Sequence, residues 1–173
     1  RHHSWNPVGV GQKWLKNLHS FNWLRDLRAM GVDEARIAAR GYIAHWASEN
    51  KSRQDYGWAP DVMGGRLAMW AAHFDFFSAG AEEEFYDIFF ASYARQARIL
   101  HAQIGQCKKG VGRLEAIRGL LYAGITLEGR RDYILRALDM LDCELKEQIL
   151  PDGGHVSRSP QALLESLMIC LDI

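Results

Sequence analysis

The chain has 173 residues, 48% of them hydrophobic and 24% charged, with 21 Lys+Arg against 21 Asp+Glu. This is the composition of a globular domain with a core, and it excludes a disordered chain. The zero formal charge gives no basic excess for nucleic acid, and no apolar run reaches the roughly 18–20 residues of a membrane-spanning helix.

In chain order, Arg1-His2-His3-Ser4-Trp5 carries no signal-peptide pattern, and the chain reads as beginning mid-protein. A helix is expected over 20–30, where Asn22 and Asp26 stand four apart on one face. Gly31, Gly80 and Gly129 then recur at 49-residue intervals. Glycine ends a helix by accepting a left-handed backbone, and the acidic residues after Gly31 and Gly80 suit the start of the next helix. Long amphipathic stretches follow each glycine. Their apolar faces are Ala35, Ala39, Tyr42 and Trp46; Phe85, Phe89, Tyr93, Ala97 and Leu100; and Ile134, Ala137, Leu138, Leu141 and Leu145. Further helices are expected over 60–77 and 112–126, and a seventh starts at Ser159-Pro160, an N-cap followed by proline. No sustained alternation marks a strand. Two helices per repeat make stacked helical hairpins, in an open solenoid or a closed toroid. The fold class is therefore all-α, a single domain over 1–173. The apolar stretch from Ala162 to Ile173 leads us to expect that the array continues further.

Polar residues gathered in loops between such helices are the candidates for function. In Gln148-Ile-Leu-Pro-Asp152-Gly-Gly-His155-Val-Ser157-Arg158-Ser-Pro160, Pro151 stops the long helix and Asp152-Gly153-Gly154 makes a tight turn. His155 beside Asp152 and Arg158 has the residue types of a general acid or base. The same residues also suit a turn that caps two helices, with His155 satisfied by a backbone carbonyl. A second segment runs from Tyr56 to Trp70. There Trp58 and Trp70 flank Asp61 and Arg66, a pairing of sugar-stacking rings with groups that bind hydroxyls or carboxylates. The plainer alternative places Met69 and Trp70 in the core and makes Asp61 a helix cap. Lys108, Lys109, Arg113 and Arg118 form a basic stretch that a solvated helix face explains. Cys107, Cys143 and Cys170 are widely spaced and read as buried free thiols, and no metal-binding or cofactor motif is present.

The stretch from Glu147 through Pro160 resembles the heparinase II/III-like polysaccharide lyase family, in its bacterial branch with a QILPDGGHVSR turn. Phe21-Asn22-Trp23-Leu-Arg-Asp-Leu, Trp58 through Trp70, and Tyr93-Ala-Arg95-Gln96-Ala-Arg98 are similar to that branch too, so the resemblance runs from about residue 20 to the end. It implies an incomplete α/α toroid, followed in the full protein by a β-sandwich domain. It implies a carbon–oxygen lyase that cleaves an acidic polysaccharide of the heparin, heparan or alginate kind by β-elimination, without a cofactor or metal. A base takes the sugar C5 proton, a Tyr or His protonates the leaving oxygen, and Asn or His neutralises the uronate carboxylate at the place where charge develops. It also implies export or the periplasm, although three free cysteines equally fit a reducing compartment.

This sequence departs from the family at two places. The family's Asn falls at Val111-Gly112, and its Tyr falls at Ala162. The catalytic expectation therefore rests on His155. Trp58, Asp61, Arg66, Trp70, Arg113, Gln148, Asp152 and Arg158 are expected to bind substrate, with an arginine from among Arg66, Arg113 and Arg158 neutralising the carboxylate. On this view the 173 residues alone show no turnover. Two other readings stand beside it: a non-catalytic glycan-binding or cell-envelope protein that keeps the fold, and a helical-repeat scaffold for another protein. Exposure of Trp58 and Trp70 in a groove would favour the glycan readings, and their burial would favour the scaffold.

Overall fold

A computed structural model describes residues 5–49 and 56–173. Residues 1–4, read above for a signal peptide, lie outside them. Among the described residues all regular structure is helical. The α-helices are α1 (Gln12–His19), α2 (Leu24–Ala29), α3 (Asp33–Glu49), α4 (Pro60–Ala72), α5 (Phe74–Ser78), α6 (Glu83–Gln103), α7 (Val111–Thr126), α8 (Arg131–Gln148) and α9 (Pro160–Leu171). The β-type pairing among the described residues is an isolated antiparallel bridge between Ile149 and His155.

The 49-residue period is a real structural period. Gly31, Gly80 and Gly129 each precede a long helix with φ of 65°, 69° and 73°, a left-handed conformation that a Cβ would strain. Ser159 caps α9 as expected, its hydroxyl accepting from the Ala162 N–H, with Pro160 in the first turn. The helix expected over 60–77 is broken at His73 into α4 and α5. The helix expected from residue 20 begins at Leu24, because Phe21 is left-handed at φ 58°. That conformation strains a bulky side chain, and the ring is held by complete burial among Trp5, Trp23, Trp46 and Trp70. Sequence periodicity did not reveal α1, which is only eight residues long.

The face expected for α6 is buried at all five positions. On α3 the buried stripe is Ala35, Ala39, Ile43 and Trp46, and Tyr42 lies outside it. On α8 the stripe is Tyr133, Ala137, Glu144 and Gln148, while Leu138 is exposed. The expected Ile134, Leu141 and Leu145 pack against the core as well, and the helix turns two polar side chains inward beside them.

Packing centres on α4 and α7. Helix α7 contacts α4, α6, α8 and α9, and α4 contacts α6 and α7. Gly64 and Gly119 let the α4 and α7 backbones touch: a Cβ on Gly64 would lie 2.3 Å from the Glu115 carbonyl oxygen. Beside this crossing lies an aromatic core of Phe21, Trp46, Trp70, Phe77, Phe85, Phe89 and Tyr93.

Candidate functional site

The helix crossing divides the candidates into two groups. Arg66, Trp58 and Trp70 go into the core. Arg66 is 0% exposed. Its guanidinium donates to Gln96 Oε1 at 2.6 Å, to the His19 carbonyl at 2.7 Å and to the Gly57 carbonyl at 2.9 Å, and it lies 3.8 Å from the centre of the Trp46 ring. Burial pushes its pKa well below the usual value. Three oxygens and a ring face compensate the charge in place of a carboxylate. Every side of the guanidinium is used, so Arg66 ties α4 to α1, α6 and the 56–58 turn and offers no group to a substrate. Trp70 is also 0% exposed, against Phe21, Trp46 and Phe89. Trp58 is 5% exposed, between Trp46 and the Arg95 guanidinium. Neither ring presents a face to a sugar. The physical reason is that α4 is packed on both sides, so its polar and apolar residues alike are drawn inward.

The remaining candidates gather where α7 starts, α8 ends and the 149–159 turn crosses. Asp61 pairs with Lys16 at 2.8 Å and lies against Gly112, whose absent Cβ would be 3.5 Å from that of Asp61. Burial works against the Lys16 ammonium, but the hydrogen bond and charge of Asp61 outweigh it and hold the pKa above normal. Arg113 donates to the Cys107 carbonyl from Nε at 2.8 Å and lies 3.5 Å from Glu144.

Glu144 is the residue that sequence reasoning missed. Its carboxylate is buried and accepts from the Gly110 N–H at 2.6 Å and from the Gln148 side-chain amide at 2.7 Å. It therefore caps the N-terminal end of α7, next to the place where the family pattern has its Asn. Glu144 falls on the same face of α8 as Tyr133, Ala137 and Gln148, but a charged side chain there gives apolar periodicity no signal.

Gln148 passes this network to His155. With its amide nitrogen turned to Glu144, its Oε1 faces His155 Nε2 at 3.1 Å. The Ser157 backbone N–H donates to His155 Nδ1 at 3.1 Å, and the Ser157 hydroxyl lies 2.7 Å from the same nitrogen. A nitrogen that accepts an N–H carries no proton, so these contacts assign the neutral tautomer with the proton on Nε2, donated to Gln148. The imidazole is 5% exposed and both ring nitrogens are engaged. The alternative of a structural turn fits this geometry, except that His155 is satisfied by side chains and the Ser157 N–H, not by a carbonyl. Asp152 and Arg158 stand outside the network, exposed to solvent, and pair with each other at 2.6 Å. Asp152 Oδ1 also accepts from the Gly154 N–H at 2.9 Å.

At the surface of this end, a groove of about 310 Å³ opens between α7 and α8, lined by Lys109, Arg113, Asp139, Met140, Cys143 and Glu147, with Glu144 at its floor. Lys109 and Glu147 pair across it at 2.6 Å. Cys107 is buried, whereas Cys143 is exposed and Cys170 intermediate, which corrects the expectation of three buried thiols. No group of three potential metal ligands comes together among the described residues, and no helix of theirs is long and apolar enough to cross a membrane.

The chain matches the heparinase II/III N-terminus profile over residues 4–173 and belongs to that family. Its relatives include FtsZ-localized protein C of Caulobacter vibrioides strain NA1000 / CB15N, 33% identical over 171 residues. That alignment covers 97% of this chain and 29% of the relative, so the chain spans less than a third of the relative's length. No solved structure matches the chain.

Proposed function

We propose that this chain is the α/α-toroid portion of a cell-envelope protein that binds an acidic glycan, and that it contributes shape and binding, not proton transfer. The observation that carries this is His155, buried with both ring nitrogens engaged, in a sequence with Val111-Gly112 and Ala162 where the family pattern has Asn and Tyr. A proton-transfer group must reach the proton it moves. Family membership supports a glycan as the partner. The surface we assign to it is the end that carries Lys109, Arg113 and Arg158, with Asp61 beside it, where a glycan carboxylate would compete with the Glu147, Glu144 and Asp152 partners of those cations. A β-sandwich domain downstream would complete the cleft.

The test uses the full-length protein with alginate, heparan sulfate and hyaluronan. Binding is followed by affinity electrophoresis, and β-elimination by ultraviolet absorbance of the unsaturated product. Binding that Lys109→Glu weakens, with no product, is the expected result. Product that a folded His155→Ala variant fails to form would reinstate the lyase.

A second reading, a scaffold for a partner protein, is favoured by the burial of Trp58 and Trp70 and by a relative whose name places it with FtsZ. Failure of every glycan to bind would favour it.

A further inference from the structure

Among the described residues, nothing packs against Gly41 closely enough to require a glycine. It lies in the middle of α3, where glycine is the least favourable residue after proline. The other glycines inside α-helices are explained by what surrounds them: a Cβ on Gly64, Gly65, Gly112, Gly119 or Gly124 would meet atoms of a neighbouring element within 4 Å. A Cβ on Gly41 would meet no atom of the described residues within 4 Å. At the α4–α7 crossing this protein uses glycine to bring two helix backbones together, whereas no second helix among the described residues reaches Gly41.

The space in front of Gly41 is a groove between α3 and α6 of about 430 Å³. Ile37, Gly41 and Ala44 line one wall at the i, i+4, i+7 spacing of a helix face, and Phe85 and Ile88 line the other. Ile37 is 58% exposed, so the groove has apolar surface to bury. Its rim is polarised. The carboxylates of Glu82 and Glu84 form no ion pair or side-chain hydrogen bond among the described residues. The guanidinium of Arg40, also in the rim, is bound to the Phe77, Ala79 and Gly80 carbonyls, so it cannot reach those acids or a ligand.

We infer that the α3–α6 groove is a docking site for an amphipathic helix of a partner protein, one with an aliphatic stripe flanked by Lys or Arg. The stripe covers Ile37 and Ile88, the partner backbone crosses at Gly41, and the basic flank meets Glu82 and Glu84. This is the helix-in-groove mode of recognition, and its specificity comes from charge complementarity at the rim. It stands independently of the glycan surface at the other helix ends.

The test uses the full-length protein and two stapled, fluorescently labelled 18-residue helices with the same leucine stripe, one flanked by Lys and one by Glu, read by anisotropy. The Lys helix is expected to bind and the Glu helix to bind at least about tenfold more weakly. Gly41→Gln, which fills the crossing point, and Ile37→Asp should each weaken the Lys helix by about tenfold or more, as loss of a central packed contact does. Both positions are exposed, and unchanged circular dichroism and unfolding midpoints confirm the fold. Glu82→Lys with Glu84→Lys should reverse the preference between the two helices. Equal binding of both helices, binding indifferent to Gly41→Gln, or no binding at all would each overturn the inference.

Discussion

Gly64 and Gly119 meet backbone to backbone: a methyl group built on Gly119 would fall 2.3 Å from the Gly64 α-carbon and 2.3 Å from its carbonyl oxygen. Neither atom belongs to a side chain that could swing aside. The crossing of α4 and α7, on which the other helices are assembled, therefore depends on two missing methyl groups.

Gly119→Ala should lower stability by about 3 kcal/mol, the upper part of the usual overpacking range, since relief requires a shift of whole helices. Urea unfolding measures it. Gly41→Ala is the control, and should raise stability by up to about 1 kcal/mol because alanine favours the helix and meets no obstacle. Equal effects from both would show that α4 and α7 can slide apart freely.

Arg66→Lys should be as disruptive as a large core deletion, roughly 3 kcal/mol, despite keeping the charge. An ammonium cannot reach the Gln96, His19 and Gly57 oxygens together while lying flat on Trp46. Thermal unfolding monitored by tryptophan fluorescence reads the loss. A wild-type melting curve would mean that the three oxygens are easily satisfied by water.

His155→Ala should loosen the 149–159 turn at a cost of about 1–3 kcal/mol, the usual penalty for leaving buried polar partners unpaired. The Gln148 oxygen and the Ser157 N–H would lose their partner. Hydrogen exchange should accelerate at Val156 and Ser157 and remain unchanged in α3. Exchange that stays slow throughout the turn would mean that the Leu150–Gly154 and Gln148–Val156 backbone bonds hold it alone.

The Asp152 carboxyl is held below the usual carboxylate range, first by its hydrogen bond from Arg158 and then by the Gly154 N–H. A depressed carboxylate pKa means that the unfolded chain binds the proton more readily. The stabilising contribution is thus present above the ordinary Asp pKa and disappears as pH falls through the lower folded value. Arg158→Ala should move the Asp152 titration up towards that ordinary value, as followed by NMR of its side-chain carboxyl. An unchanged titration would show that the Gly154 N–H is sufficient.

Much of the fold is written locally. Gly31, Gly80 and Gly129 mark the repeat because a left-handed residue is needed at each helix end, and Ser159-Pro160 marks a helix start because capping involves only neighbours in sequence. The α6 stripe was legible because Phe85, Phe89, Tyr93, Ala97 and Leu100 are consistently apolar. The apolar part of the α8 stripe was legible too, since Ile134, Ala137, Leu141 and Leu145 pack inward, but Glu144 and Gln148 are buried beside them and Leu138 faces solvent. Periodicity counts apolar residues and cannot anticipate a carboxylate drawn inward by the N–H groups of another helix.

The candidate site divides in the same way. The 148–158 turn was identifiable from Pro151, Asp152 and the two glycines. Its partner Glu144 was not, because the link runs through Gly110, 34 residues away in sequence.

The sequence by itself therefore determined the helical repeat, the positions of its breaks and the turn that carries the family resemblance, because each depends on interactions between near neighbours. Only the tertiary structure decided which polar residues are available to solvent. Arg66, Trp58 and Trp70 became core, His155 became a buried pin, and Gly41 came to face the α3–α6 groove. Burial is set by what packs against a residue from distant parts of the chain, and the residue's own neighbourhood in sequence does not record it.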